Sequence, residues 1–419
     1  MEFSIFFLIS ACIIGVFMAW GVGANDLANI MSTTMGSRAI TVRQAMLIAV
    51  IFEFAGALLG GVHVTNTIRS GIIDVSLFVN HADVLVYGMI AVLLASMVWM
   101  LFASYIGMPV SITNTIVGAL VGFGAIVLGM HAVHWNTVGF IALSWVCTPI
   151  AAGIGSYWLF VLVRRFILAT GDPLQSARRH LPWYFFMVGI VLSIMTVLKD
   201  VVRFGYHPNG WYKFLIVLAT SVVILFLGMF LCRQIPLPHN AKRYQRYEYI
   251  EKQFGILMAF TACAMVFAHG SNDVAIAVGP VAAIYSMVMH NGSLLMQDPV
   301  PLWIMIMGCV GVVLGLFMYG HKVIATVGKN ITSLTPSRAF AATFAAAVAV
   351  IVSTSSGIPV SATQTLVGGV FGVGLARGIG ALNLNVMRNI FLSWFVTVPA
   401  AAMLAIVFFD IMQWIFHFI

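Results

Sequence analysis

Apolar runs long enough to cross a lipid bilayer recur along the whole of this 419-residue chain. An α-helix needs about 20 apolar residues to span the hydrocarbon core of a bilayer. Only 8% of the residues are charged, which is too few to cover the surface of a soluble protein of this length. The runs lie at residues 3–21, 44–62, 83–103, 109–130, 138–163, 182–198, 211–232, 254–287, 302–320, 339–376 and 389–418. We therefore expect an all-α polytopic membrane protein with about 10–12 transmembrane segments, located as a multi-pass protein in the cell (inner) membrane.

Two motifs occur twice, in the same order and at nearly the same separation. Gly-Ala-Asn-Asp-Leu-Ala at residues 23–28 returns as Gly-Ser-Asn-Asp-Val-Ala at residues 270–275. Gly-Met-Pro-Val-Ser-Ile-Thr-Asn-Thr at residues 107–115 returns as Gly-Ile-Pro-Val-Ser-Ala-Thr-Gln-Thr at residues 357–365. Such matches indicate an internal duplication, which is typical of secondary transporters.

Two shorter patterns also recur in the second copy. Gly56 and Gly60 correspond to Gly311 and Gly315, and Ser144-Trp145 corresponds to Ser393-Trp394. Small residues four apart let two helices approach closely in a membrane, so we interpret the glycines as structural rather than functional.

Basic residues indicate how the two copies are oriented. Lys and Arg are concentrated at residues 164–179 and 233–252, and short connections rich in these residues remain in the cytoplasm. The first copy then begins outside and the second inside, which predicts two inverted-topology repeats with broken or re-entrant helices. We assign residues 1–163 to the first inverted repeat and residues 253–419 to the second. Residues 164–252 form a linker with two spans and a basic cytoplasmic loop.

Three acidic residues lie within or between apolar runs: Asp26, Asp273 and Glu53. A carboxylate in such a position costs about 2.5–3.5 kcal/mol on insertion scales. No buried Lys or Arg is expected to offset this cost, because Arg69 is placed in an external loop at residues 63–82. Asp26 and Asp273 each follow an Asn and two small residues, a composition suited to an unwound segment whose oxygens bind a hard cation. Glu53 has no counterpart in the second copy, and a coupling role and a structural role are equally supported.

The second motif is suited to an anion. Pro109 and Pro359 each interrupt the preceding backbone and favour the first turn of a new helix, which would begin inside the membrane. The N–H groups at a helix amino terminus attract negative charge. The side chains that would surround the anion are Ser111, Thr113, Asn114 and Thr115, and in the second copy Ser361, Thr363, Gln364 and Thr365.

Charge balance then predicts coupled transport. A divalent oxyanion next to ionised Asp26 and Asp273 would bring the site to a formal charge of about −4, which Coulomb repulsion in a poorly polarisable medium opposes. Sodium ions or protons bound at the two Asn-Asp motifs would neutralise the site and make anion binding depend on the cation gradient. His269, adjacent to the second motif, is a candidate for proton coupling, although a structural histidine is at least equally well supported.

At these motifs the sequence resembles the inorganic phosphate transporter (PiT) family. The resemblance covers both copies and extends through the segment Thr-Val-Gly-Lys-Asn-Ile-Thr-Ser-Leu-Thr-Pro-Ser-Arg-Ala-Phe at residues 326–340. It implies symport of inorganic phosphate with sodium or protons, and a homodimer. It also implies that Asp26 and Asp273 bind cations with support from Asn25 and Asn272. Phosphate would be surrounded by Ser111, Thr113, Asn114, Ser361, Thr363 and Gln364.

The chain departs from the family pattern in ways that concern the cation half-sites. Ile276 replaces the Asn usual in the late motif, while Asn29 retains its amide in the early one, so Asn29 joins the cation-binding candidates of the first half-site alone. Ser32 replaces a common Gly, and Thr343 stands where an acid often follows Phe-Ala-Ala. These changes leave the number and the identity of the co-transported ions open.

Other functions remain as alternatives or are excluded. The same donors could bind another tetrahedral oxyanion such as sulfate, and a passive anion channel is a further alternative. We expect no enzyme activity and no cofactor apart from the co-transported sodium or proton, because the sequence contains no nucleotide-binding loop, metal-ligand cluster or nucleophile constellation. We also expect no nucleic-acid partner, because the basic residues lie beside the spans, where membrane insertion requires them.

Overall fold

A computed structural model describes residues 4–78, 82–198, 209–236, 242–290, 300–320 and 333–417. Across these ranges the chain is almost entirely helical, with one isolated antiparallel bridge between Ile73 and Val133. Nine helical stretches in the described ranges are long and apolar enough to cross a membrane. The predicted all-α, multi-pass membrane fold is therefore confirmed. Two of the eleven predicted runs are not among the nine: the run at residues 109–130 contains the short helix Ile112–Phe123, and the run at residues 182–198 lies in the helix Pro173–Leu198.

Within the described ranges, the helices follow one another without strands between them. They are α1 (Ser4–Val22), α2 (Ala28–Gly36), α3 (Val42–Gly60), α4 (Val62–Asn66), α5 (Ala82–Ile106), α6 (Ile112–Phe123), α7 (Trp135–Val163), α8 (Pro173–Leu198), α9 (Gly210–Arg233), α10 (Arg243–His269), α11 (Ala275–Met289), α12 (Leu302–Tyr319), α13 (Pro336–Ser355), α14 (Ala362–Arg377) and α15 (Leu384–His417). Parts of the basic segment 233–252 and of the motif at 326–340 lie outside the described residues.

Both Asn-Asp motifs form π-helical turns inside longer helices. Gly23–Leu27 joins α1 to α2, and Gly270–Val274 joins α10 to α11. The expectation of an unwound segment was wrong at both places, because a π turn accommodates one extra residue while the helix continues on either side. Single π turns inside α-helices are frequent at functional sites.

The two Pro-containing motifs form sharp turns that end one helix and begin another. Gly107 and Gly357 adopt positive φ angles of 69° and 72°, a conformation that side chains with a Cβ rarely adopt. These turns reverse the chain from α5 into α6 and from α13 into α14. The predicted span at residues 339–376 is accordingly split into two helices, and both α6 and α14 begin within the protein interior.

Each Asn-Asp turn packs backbone to backbone against a helix of the other predicted repeat. A Cβ built on Gly23 would lie 1.7 Å from the carbonyl oxygen of Val312 in α12. A Cβ built on Gly270 would lie 2.3 Å from the carbonyl oxygen of Glu53 in α3. Glycine is required at both turns because any side chain would separate the helices.

The glycines four apart have the structural role that the sequence predicted. A Cβ on Gly56 would lie 2.1 Å from the carbonyl oxygen of Phe267, and one on Gly315 would lie 1.8 Å from that of Trp20. Gly56 therefore lets α3 contact α10, and Gly315 lets α12 contact α1.

The two long helices α7 and α15 pack closely against the short helices α14 and α6. Gly368 and Gly372 of α14 contact the backbone of Pro149 and Gly153 in α7. In the same way Gly118 of α6 contacts the backbone of Val398 in α15. Each short helix is thus held by a helix from the other copy. Helices α8 and α9 pack against each other, with Gly228 of α9 against the ring of Phe185 in α8.

Candidate functional site

Asn25 connects the first Asn-Asp turn to the turn between α5 and α6. Its side-chain nitrogen donates to the carbonyl of Met108 at 2.9 Å, and its side-chain oxygen accepts from the backbone N–H of Val110 at 3.0 Å. Asn25 is fully buried. The side-chain amide of Asn25 therefore supplies hydrogen bonds to backbone groups of the turn between α5 and α6. In the described structure it joins the two motifs of the first copy.

Asp26 lies where both Pro-containing motifs meet. One carboxylate oxygen accepts from the backbone N–H of Ile112 at 3.1 Å, at the amino end of α6, and the other accepts from the hydroxyl of Thr363 in the second copy. The carboxylate is buried and lies within electrostatic range of Asp273 and His269. A single carboxylate thus contacts the predicted anion-binding elements of both halves.

The second Asn-Asp turn uses the same kind of connection on its own side. Asn272 donates to the carbonyl of Val360 at 2.6 Å and accepts from the N–H of Val360 at 3.3 Å. The hydroxyl of Thr113, from the first copy, donates to the same carbonyl at 2.8 Å. The carbonyl of Val360 therefore contacts both copies, as the carboxylate of Asp26 does.

Asp273 differs from Asp26 in its partners. Its carboxylate accepts from the side chain of the adjacent Asn272 and lies 3.0 Å from Nε2 of His269, close enough for an ion pair but without the alignment of a hydrogen bond. The other ring nitrogen of His269, Nδ1, lies 2.6 Å from Oε1 of Glu53. Glu53, His269 and Asp273 are all buried, so one imidazole bridges two carboxylates inside the protein.

Asn29 is buried one helical turn after Asp26. Neither its amide oxygen nor its amide nitrogen has a hydrogen-bond partner among the described residues. Buried polar atoms are seldom left in this state unless they bind water, an ion or another ligand. The corresponding position in the second copy is the buried Ile276, so the two half-sites differ in oxygen content.

Ser111 and Ser361 cap the two short helices. The hydroxyl of Ser111 accepts from the N–H of Asn114 at 3.3 Å, and that of Ser361 accepts from the N–H of Gln364 at 3.2 Å. The expectation that the first turns present free N–H groups is therefore only partly right, because caps and the Asp26 carboxylate use some of them. The amide oxygens of Asn114 and Gln364 are buried and have no partner among the described residues.

The remaining hydroxyls of the motifs serve the protein. Thr115 and Thr365 donate to the carbonyls of Ser111 and Ser361, each at 2.7 Å. Thr365 also contacts the hydroxyl of Thr148 in α7 at 2.9 Å. These two threonines position α6 and α14 and leave the anion contacts to their neighbours.

Arg69 corrects the expectation that no basic side chain is buried. It lies in a π-helical turn, Thr67–Gly71, is 2% exposed, and donates to the hydroxyl of Ser286 at 3.3 Å. The hydropathy pattern misses this element because it is short and contains polar residues. The neighbouring Thr67 donates to the carbonyl of Gly357 at 2.8 Å, so this element supports the second Pro-containing turn.

The arrangement places acidic oxygens and neutral hydrogen-bonding groups in one buried region. Carboxylates and unpartnered amide oxygens are suited to hard cations, while the hydroxyls and the ends of α6 and α14 are suited to an oxyanion. Among the described residues there is no cluster of three His, Cys, Asp or Glu side chains of the kind that holds a metal ion.

Comparison with known proteins gives consistent matches over nearly the whole chain. The phosphate transporter family model matches residues 22–405. A Haemophilus influenzae protein named as a phosphate permease is 45% identical over 405 residues, which are 97% of this chain and 96% of that protein. The inorganic phosphate transporter 2-1, chloroplastic, of Arabidopsis thaliana is 38% identical over 427 residues, covering 96% of this chain and 71% of that protein.

A solved structure has the same fold. Its title is "The sodium-dependent phosphate transporter", and it superposes with a TM-score of 0.89 at 38% sequence identity. The match covers 98% of this chain and 99% of that one.

Proposed function

The chain belongs to the phosphate transporter family, and from this premise we propose that it is a secondary active transporter that carries inorganic phosphate into the cell together with sodium ions or protons. The observation that carries the proposal is the position of Asp26, whose carboxylate contacts the start of α6 and the hydroxyl of Thr363. An acidic group placed among anion-binding elements would repel phosphate unless a cation neutralises it. The position of this one carboxylate therefore supports the proposal of coupled transport.

The first half-site is proposed to bind a cation through oxygens. Asp26 supplies a carboxylate that retains lone pairs beyond its two hydrogen bonds, and Asn29 supplies an amide oxygen without a partner among the described residues. Asn25 supports the turn. Sodium is favoured here because it binds hard oxygen ligands and because a solved relative is titled as sodium-dependent.

The second half-site is proposed to respond to protons as well as sodium. Asp273, with Asn272 beside it, is the second cation ligand, and His269 links it to Glu53 through distances of 3.0 and 2.6 Å. A histidine between two buried carboxylates changes the net charge of the site when it gains or loses a proton. Glu53 and His269 are therefore assigned to coupling.

Phosphate is proposed to bind between α6 and α14. The groups assigned to it are Ser111, Thr113, Asn114, Ser361, Thr363 and Gln364, all of them buried. In this position the anion would interact with residues from both Pro-containing motifs, so that its binding and its release are tied to the relative position of the two copies, which we propose to be inverted repeats.

Uptake into proteoliposomes tests the proposal. Labelled phosphate uptake is measured with a sodium gradient and with a pH gradient, each imposed alone, and with both collapsed. Uptake driven by at least one gradient and lost without either is expected. Uptake that does not depend on either gradient would indicate a passive channel. Uptake of labelled sulfate that phosphate does not inhibit would indicate that the transported substrate is a different oxyanion.

The membrane and the assembly belong to the same proposal. We place the protein in the cell (inner) membrane as a homodimer, as the family resemblance implies. The mass of the purified protein in detergent, measured by light scattering, should correspond to two chains. A mass of one chain would contradict the proposed homodimer.

A further inference from the structure

Helix α2 has a continuous polar face although it is buried in the protein. The polar residues are Asn29, Ser32, Thr33 and, at the C-cap, Ser37. The last three lie three, four and eight positions after the first, which places all four on one side of the helix. None of the four is more than 6% exposed. A buried helix usually packs through apolar residues, so this polar face requires an explanation.

The corresponding helix of the second copy has no such face. Helix α11 follows the second Asn-Asp turn as α2 follows the first, and it is buried as well. Its residues at the positions that correspond to the polar face carry no polar side-chain group. They are Ile276, Gly279, Pro280 and Ile284. Packing after an Asn-Asp turn therefore does not require polar side chains, and the polar face belongs to the first copy alone.

The side chains of the polar face present oxygen lone pairs. Ser32, Thr33 and Ser37 each donate their hydroxyl proton to the backbone carbonyl three positions earlier in the chain. A hydroxyl has one proton and two lone pairs, so its proton is used by the helix while lone pairs are left to the surroundings. Asn29 adds an amide oxygen that has no partner among the described residues. Such a row of oxygens suits a hard cation better than an anion.

The polar face runs from the first cation half-site to the surface of the protein. Asn29 lies one helical turn after Asp26, the proposed cation ligand. At the other end Ser37 is followed by Arg38 and Arg43, both exposed. Basic residues beside a span indicate the cytoplasmic side. The face from Asn29 to Ser37 covers about 12 Å at the rise of an α-helix, and it ends towards the cytoplasm.

Thr343 of α13 covers the polar face midway along its length. Its hydroxyl lies 3.0 Å from that of Thr33, and both residues are buried. Because α13 belongs to the second copy, this contact breaks when the two copies move apart. Thr343 and Ser32 are also two positions at which the chain departs from the PiT pattern, so their hydroxyls are features of this chain.

We propose that the polar face of α2 is the route by which the co-transported cation leaves Asp26 for the cytoplasm, and that the contact between Thr33 and Thr343 closes this route in the described structure. This inference rests on the proposed function and deepens it, because it gives the cation a path of its own. A sodium ion that has lost part of its hydration meets oxygens along α2. It meets no side-chain oxygen at the corresponding positions of α11.

Silver ion tests the route, because it is a monovalent cation close in size to sodium and binds thiolates tightly. Thr33→Cys and Thr34→Cys are made in a protein whose five native cysteines are replaced by alanine. Silver nitrate is added in chloride-free buffer to the cytoplasmic side of inverted membrane vesicles, and phosphate transport is then measured. Transport should be lost in Thr33→Cys and retained in Thr34→Cys, because Thr34 is equally buried but lies off the polar face. Equal sensitivity of the two variants would overturn the route.

Removal of the hydroxyl gives a separate kinetic test. Thr33→Val should lower kcat for sodium-driven uptake on the order of tenfold, because one oxygen is lost from the path of the cation. The KM for phosphate and the external sodium concentration for half-maximal uptake should not change, since the binding site is intact. Thr34→Val is the matched control, because the hydroxyl of Thr34 has no partner among the described residues. Wild-type kcat in Thr33→Val, or a shifted external sodium dependence, would overturn the proposal.

Two further variants separate the route from a structural role. Thr33→Ser keeps the hydroxyl and should retain the wild-type kcat, whereas an equal loss in Thr33→Ser and Thr33→Val would show that only packing is affected and would overturn the route. If Thr33→Val does not fold, Thr343→Val removes the facing hydroxyl from α13, and the same fall in kcat is expected. A wild-type kcat would again contradict the route. Failure of the proposed function is distinct, because the wild-type protein would then take up no phosphate under any gradient.

Discussion

Asp26 and Asp273 occupy equivalent places in the duplicated motif but have different surroundings. Asp26 accepts hydrogen bonds from Ile112 and Thr363, whereas Asp273 contacts Asn272 and His269. The first carboxylate is therefore connected to the anion-binding elements, and the second to a group that can bind a proton. We infer that the two half-sites bind their cations for different purposes.

Replacing either aspartate by asparagine should abolish gradient-driven phosphate uptake. Asp26→Asn and Asp273→Asn remove one negative charge each with almost no change in volume, so the folded protein should survive while the cation loses its main ligand. Uptake is measured in proteoliposomes, and folding is checked by gel filtration. The matched control is Asp172→Asn, at an exposed helix cap where asparagine serves equally well. Wild-type uptake in either buried variant would contradict the cation role.

The two motif threonines should separate anion binding from cation binding. Both Thr113→Val and Thr363→Val remove a buried hydroxyl, and each should raise the KM for phosphate roughly tenfold. Only the hydroxyl of Thr363 bonds Asp26, so only Thr363→Val should also shift the sodium concentration that gives half-maximal uptake. The same sodium dependence in both variants would show that the contact with Asp26 has no part in coupling.

At the scale of helices, the sequence predicts where the chain turns better than it predicts how the turns are built. Gly107 and Gly357, each followed two residues later by a proline, correctly indicate the two breaks, because a glycine can adopt the positive φ of the turn and the proline disfavours continuation of the helix. The π turns at the Asn-Asp motifs are not predictable in this way, since they depend on glycine contacts with Val312 and Glu53 from distant helices. The helical element that contains Arg69 was missed because its apolar run is too short for a hydropathy signal.

Close helix packing predicts a strong effect of one methyl group. Gly315→Ala places a Cβ 1.8 Å from the carbonyl oxygen of Trp20, so α12 must move away from α1, at a cost of about 1–3 kcal/mol. The melting temperature of the detergent-purified protein should fall. Gly139→Ala is the control, because a Cβ there meets nothing within 4 Å and alanine favours the helix. An equal melting temperature for both variants would contradict the packing argument.

At the scale of the whole molecule, the duplication predicts more than the separate motifs do. The repeated features are two motifs, two glycine pairs and two Ser-Trp pairs. Their repetition indicates that corresponding residues of the two copies contribute to one site. The structure brings Asp26 to Thr363 and Thr113 to Val360, across the two copies. These hydrogen bonds join residues that are hundreds of positions apart in the chain. The sequence therefore predicts which residues form the site, but it does not predict which of them bond to each other.

The central claim is that phosphate binds only when small cations neutralise the buried carboxylates. Equilibrium binding of labelled phosphate to the purified protein tests it most directly, measured at alkaline pH with sodium replaced stepwise by choline at constant ionic strength. The account predicts that the affinity for phosphate falls at least on the order of tenfold as sodium is removed, because a coupling free energy of that size is typical of linked sites. An affinity that is the same with and without sodium would contradict it.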